Sequence, residues 1–386
     1  MLAACDMNCL AAEGVGILRN VFRTILEGVD HRRVHVVPLS GGLDSRGILA
    51  GLLEHLDTRQ IQAVTFGTPG TRDFDIGQQV ARAAGVNWTA IDLTSGKWTW
   101  DTGDLMNTLR GAPSPLWAFD VHVNNAIPSM FGADCEYWIG FVVDPIYGSH
   151  KLQNRSRSWE EARLRFSVMS RFCRSVDLKV SPELYMGMIP GKPILPDRVM
   201  CYDEQLNIAV RQEYWMKRIL FRKGYSYQTP LLHPHWVEFI LAVPHHYRER
   251  HRVYRQVLRS AYPVLFALPT KNTHGLSLTA SQWRIGLRRH ALRGWTAAKR
   301  VFPWIDWAVS PDTNYIDFDR GLRERADLKE GVYECIQKLK RRGLVDWIDV
   351  DAIWKCHQRR QGNHADALTL LASLELYLST LDVDGA

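Results

Sequence analysis

The stretch VHVVPLSGGLDSRGILAGLL, Val34 to Leu53, decides the fold. Its first half is a short apolar run rich in valine, the pattern of a buried strand. Its second half, continued by EHL to Leu56, places Leu49, Leu52, Leu53 and Leu56 at helical spacing. Between them lies Ser40-Gly41-Gly42-Leu43-Asp44-Ser45. Glycines between a strand and a helix let the backbone approach a ligand with no Cβ in the way. The N–H groups of the turn and of the helix N-terminus then point at that ligand and favour an anion. Leu39, Ser40, Gly41, Gly42, Asp44 and Ser45 are therefore candidate phosphate-binding residues, with Ser40 and Ser45 adding hydroxyl donors. Asp44 would repel a bare phosphate, so its expected role is to hold Mg2+ bound to that phosphate. The string is neither the dinucleotide fingerprint G-x-G-x-x-G nor the P-loop G-x-x-x-x-G-K-[ST]. A plain turn with a serine or aspartate cap would account for one such residue, not for the whole string.

Outward from this stretch, apolar runs and helical patterns alternate. IQAVTFG, NWTAIDL and EYWIGFVV read as further strands, TPGTRDFD as a loop, and DIGQQVARAAG as a helix ended by Gly85. Strands alternating with helices predict an α/β fold: a parallel sheet with helices on both faces. Ligands bind such sheets at the carboxyl ends of the strands, where PLSGGLDS, FGTPGTRD and GFVVDPIYG all fall. From about residue 151 the alternation stops and helical patterns punctuated by prolines follow. The expected organisation is an N-terminal helical segment over 1–32, an α/β core over 33–150, and a mainly helical part over 151–386 packed on that core.

The composition is that of a globular chain of 386 residues with 46% hydrophobic content. The net charge of +7 favours anionic partners without choosing among them. Seven scattered cysteines form no C-x-x-C pair, so neither a disulfide framework nor a zinc site is indicated, and a reduced, cytoplasmic location is expected. The N-terminus has no basic region before its apolar part and no apolar run is long enough for a membrane span.

SGGLDS resembles the pyrophosphate loop of N-type ATP pyrophosphatases, enzymes that cleave ATP between the α and β phosphates to form an adenylate. TFGTPGTRDFDIGQQVARAAGVNWTAIDL and TPLLHPHWVEFILAVP resemble segments of the synthetase domain of asparagine synthetases, and Pro263 precedes Lys271 at that family's spacing. The resemblance implies ATP and Mg2+ as cofactors. It implies that Thr65, Phe66 and Gly67 line an adenine pocket, that Gly140 and Asp144 form a second loop with Asp144 as a metal ligand, and that Lys271 contacts the phosphates. It implies adenylation of a small-molecule or peptide carboxylate, followed by attack of an amine or ammonia to form an amide.

Two departures stand out. About thirty residues precede the first strand, too few for the family's glutaminase domain, so ammonia would come from a separate glutaminase or another source. Phe141 also stands where the family has a glutamate that handles the amine proton. Tyr254, Tyr147, His150 and His233 are candidate replacements by residue type, with Tyr254 taken as catalytic alongside Asp44 and Lys271. His233 and His251 also stand where the family commonly has an aspartate and a lysine. These changes leave open a tailoring ligase of the lasso-peptide cyclase or β-lactam synthetase type, a tRNA-modifying pyrophosphatase, or a nucleotide-binding protein without catalysis. WRIGLRRHALRGWTAAKRVFPWIDW, Trp283 to Trp307, interleaves arginines with tryptophans. It suits RNA contact, an anionic membrane surface, or a packed helix with solvated arginines, the last being the expectation. Nucleic acid is not the expected partner.

Overall fold

The computed structural model describes residues 6–141, 143–148, 155–302 and 309–384. Five parallel strands form the central sheet: β1 (Val34–Pro38), β2 (Ile61–Gly67), β3 (Asn87–Asp92), β4 (Cys135–Trp138) and β5 (Ser226–Gln228). Their order is β3-β2-β1-β4-β5, so the direction of winding reverses between β1 and β4. That reversal opens a crevice at the carboxyl ends of the two strands, where open α/β sheets bind ligands.

Alternation along each strand covers both faces. Val37, Ala63 and Trp138 face one core, with helices α1 (Met7–Glu27) and α2 (Asp44–Leu53) and the helices Pro234–Ala242 and Arg252–Ala261. Val36, Val64 and Tyr137 face the other, with α4 (Thr102–Leu109), α5 (Ala118–Phe131) and the helices Ala326–Arg342 and Ala365–Asp384. Between β2 and β3 runs α3 (Arg72–Ala84), which stops at Gly85 in the left-handed region at φ 68°. Each fully buried valine or leucine stabilises the fold by about 1.5–3 kcal/mol, which makes the strands hard to slip.

The α/β architecture agrees with expectation, and three local features differ from it. TPGTRDFD is only partly a loop, because α3 begins at Arg72. Asp73 and Asp75 sit in its first turn, where carboxylates favour the helix dipole. The run EYWIGFVV leaves the sheet after Trp138: Ile139 N–H still reaches Gln228 O at 3.0 Å, then Gly140 crosses the first turn of α2. A Cβ on Gly140 would lie 2.8 Å from that of Asp44, so the two elements touch through a glycine. Finally, β5 comes from within the helical half. Its three residues are too few for alternation to show in sequence.

Candidate functional site

The loop after β1 is tied by its own serines. Ser40 N–H donates to Ser45 Oγ at 3.1 Å and Gly42 N–H donates to Ser40 Oγ at 3.2 Å. The residue at the α2 cap position is Leu43, which offers no side-chain acceptor, so the helix N-terminus faces the cavity without a side-chain cap. Gly41 is required for close approach: a Cβ there would lie 2.7 Å from the carbonyl oxygen of Arg72.

A distant segment locks onto this loop. The Gly41 carbonyl accepts Lys271 N–H at 2.8 Å and Thr270 Oγ1–H at 3.1 Å. Arg46, fully buried in α2, reaches the same segment from below, donating to the carbonyls of Leu265, Leu268 and Pro269 at 3.1, 3.3 and 2.6 Å. Lys271 Nζ therefore arrives at the loop's rim, where it pairs with Asp73 and donates to Asn314 Oδ1 at 2.8 Å. Asp73 also accepts Gly41 N–H at 3.3 Å.

The opposite rim is acidic. Asp44 Oδ1 accepts the Tyr254 hydroxyl at 2.8 Å. Burial, reinforced by the charge of Asp144, pushes the Asp44 carboxyl up to about 7. The Asp144 side chain is 71% exposed, with His251 Nε2 at 3.6 Å from its Oδ1. Arg250 and His251 both adopt left-handed backbone, φ 56° and 61°, which is costly for such residues and is kept only where surrounding structure enforces it. Burial holds the His251 imidazole below its ordinary range, against the pull of Asp144. Burial likewise raises the Tyr254 phenol, with the Asp44 charge adding to it.

These groups line one cavity of about 470 Å³. Of the expected residues, Leu39, Ser40, Gly42, Asp44, Ser45, Phe66, Gly140, Asp144 and Lys271 lie in its wall. Thr65 does not: it is 1% exposed, donates to Leu39 O at 3.0 Å and accepts Trp88 Nε1–H at 3.1 Å. Gly67 lies beneath Asn314, whose carbonyl oxygen would be 3.0 Å from a Cβ there. Phe66 instead stacks on Tyr315 with ring centroids 5.9 Å apart. Gly41 and Tyr254 sit behind the wall, where the Gly41 carbonyl accepts Lys271 N–H and the Tyr254 hydroxyl donates to Asp44. Among the candidate bases, Tyr147 donates to Leu231 O at 2.9 Å and His233 precedes the helix Pro234–Ala242, both outside the wall. His150 lies outside the described residues. Phe141 is turned into an aromatic contact with Phe221 at 5.2 Å.

Several wall residues were not anticipated as partners of this site. Asp73, Asn314 and Tyr315 come from α3 and a late loop, and that loop is held by Arg72 N–H to Pro311 O at 2.8 Å and by an Arg72–Asp312 ion pair. Asp73 alone carried a visible signal, the carboxylate of the P-G-x-x-D loop.

Mg2+ fits the donor set. Asp44 and Asp144 both line the cavity, burial and then the Asp144 charge raise the Asp44 carboxyl, and hard carboxylate oxygens are the ligands that ion prefers. Elsewhere, Cys201, Glu204 and His245 place ligand-type atoms within 4.8 Å of one another, with the buried Arg248 cation in the field of Glu204 and Cys201.

Fold and site together define a class: an α/β protein whose strand–SGGLDS–helix cradle faces a carboxylate pair and a lysine at a sheet's switch point. Residues 29–110 match the model of the Asparagine synthase family, a stretch running from before β1 to just past α4. The match implies an amide ligase of the ATP pyrophosphatase type. No curated protein matches the chain. Asp144, Tyr254 and Lys271 lie beyond the matched segment.

Proposed function

We propose that this protein uses ATP to adenylate a carboxylic acid, releasing pyrophosphate, and joins the acyl group to an amine as an amide. The observation that carries this reading is the clamp between Gly41 and Lys271. It brings a lysine ammonium to the rim of a glycine turn and an uncapped helix N-terminus, on the same cavity as two carboxylates. Such donors meet charge that grows on the bridging and terminal oxygens as the α-phosphorus is attacked.

In this reading the turn Ser40–Ser45 holds the departing diphosphate and Lys271 neutralises it, exchanging Asp73 for phosphate oxygens. Asp44 and Asp144 hold Mg2+, and Tyr254 positions Asp44 through its hydroxyl. When bound, Mg2+ supplies charge neutralisation on the phosphates. Phe66 and Tyr315 offer a flat apolar surface beside the cradle, suited to a purine. The acid and the amine then meet near Asp144 and His251, where the cavity continues. Phe141 is buried against Phe221 and, as a phenylalanine, supplies no carboxylate to that region.

ATP–pyrophosphate exchange tests the adenylation step directly. Exchange should depend on a carboxylic acid, with candidates including aspartate and peptides, and AMP and an amide should follow when an amine is added. Exchange stimulated by bulk tRNA in place of any acid, or nucleotide binding with no exchange across a broad panel of acids, would reject the proposal.

A further inference from the structure

The helix Gln282–Val301 is mostly exposed, with Leu292, Trp295 and Ala298 half-buried. Among its described side chains Ile285 is the one buried, while Arg284, Arg288, Arg289 and Arg293 are exposed. Trp283, Leu287, Ala291, Gly294, Ala298 and Val301 recur at spacings of three and four, which places them on one face. Trp283 is 70% exposed, Leu287 65% and Val301 62%. Ile285 lies on the other side, so this apolar stripe faces away from the body of the protein.

Charge reinforces the pattern. Residues 282–301 contain five arginines, one lysine and no carboxylate. Removing these six from the chain's net charge of +7 leaves +1, so nearly all the excess is concentrated here. Arg284 and Arg288 lie to one side of the stripe and Arg293 to the other, while Arg289 is nearer the side of Ile285.

We infer that this helix binds an anionic lipid surface, lying in the plane of the interface with Trp283, Leu287 and Val301 among the acyl chains and its arginines at the headgroups. At 20 residues it is about 30 Å long, enough for several such contacts along one line. No helix among the described residues is long and apolar enough to cross a membrane, so the attachment is peripheral. Single-stranded RNA would use the arginines and the tryptophan, yet it gives no reason for leucine, alanine and valine to complete an outward stripe.

Co-sedimentation of the full chain with vesicles tests this. Vesicles of phosphatidylcholine containing about one third phosphatidylserine, at about 0.1 M salt, should pellet the protein at least tenfold more strongly than phosphatidylcholine alone. Trp283→Glu/Leu287→Glu should abolish pelleting. Arg288→Gln/Arg293→Gln should weaken it by roughly fivefold per charge removed. Thermal melts should match the wild type, because all four side chains are exposed. Equal pelleting with both vesicle types, or wild-type pelleting by either double variant, would overturn the inference. So would bulk tRNA binding that the arginine pair supports while vesicles go unbound.

Discussion

Lys271 and Asp44 both line the cavity at the cradle, and each can be changed without opening the core if the Asp44 substitute still accepts the Tyr254 hydroxyl. Lys271 Nζ is replaced in its contacts by solvent, because its side chain is 33% exposed. Lys271→Ala should lower pyrophosphate exchange by on the order of a hundred-fold or more, the usual loss when one transition-state charge contact goes. Its unfolding midpoint should fall only slightly, since this pair is partly buried but opens on the cavity, and its loss should cost on the order of 1 kcal/mol. Exchange at the wild-type rate would remove Lys271 from the site. Asp44→Asn keeps the Tyr254 contact but weakens the ligand, so the Mg2+ concentration for half-maximal exchange should rise by tenfold or more. Gly41→Ala is a backbone test. The added methyl meets the Arg72 carbonyl, so the turn must shift, and ATP-dependent thermal stabilisation should disappear even where the protein stays folded.

At the scale of elements, α2 does more than present its N-terminus. Arg46, one residue after Ser45, fastens the segment from Leu265 to Pro269 and thereby sets where Lys271 emerges. Burial alone holds the Arg46 guanidinium down to about 10, still charged at neutral pH. Arg46→Met leaves three carbonyls without their shared donor. The expected cost is about 2–4 kcal/mol in urea unfolding, together with weakened exchange, because the loss of a buried donor strands its partners. Arg46→Lys should recover stability only in part, since one ammonium cannot span the geometry of a guanidinium fork. A melt unchanged by Arg46→Met would show that the segment is held by other contacts. The late loop from Pro311 to Tyr315 is the second such fastening, built from Arg72, Thr68 and Phe66 at the carboxyl end of β2.

For the whole molecule, acid stability follows from buried histidines. Burial, set against the attraction of Glu136, holds His35 down to about 4, and its Nδ1 accepts Trp138 Nε1–H at 3.0 Å. Burial and Arg323 hold His357 at about 4 as well, with Nδ1 accepting His364 N–H at 3.2 Å. Both folded values lie below the unfolded value of about 6.5, so the unfolded chain takes up protons first. Their stabilising contribution is complete above about pH 6.5 and is lost as pH falls toward 4, at about 1.4 kcal/mol per pH unit for each histidine. In His35→Asn the amide oxygen can take the place of Nδ1, so the slope of unfolding free energy between pH 6.5 and 4.5 should drop by about that amount. An unchanged slope would mean that His35 titrates normally. The same contrast between local and distant contacts explains what could be read early. The strand–turn–helix at Val34–Leu53 announced itself because every interaction shaping it lies within a few residues: valine burial, glycine freedom, serine-to-backbone bonds. From it followed the parallel sheet and a glycine turn at the carboxyl end of its first strand. Nothing local marks SYQ as a fifth strand, turns Thr65 away from the cavity, or sets Asn314 and His251 in its wall. Those outcomes rest on contacts between residues tens to hundreds of positions apart, and only the packed chain brings such residues together. The sequence alone determined the cradle and the class of sheet that carries it; the tertiary structure decided which side chains surround it, because their positions depend on long-range packing and buried hydrogen bonds that no short window contains.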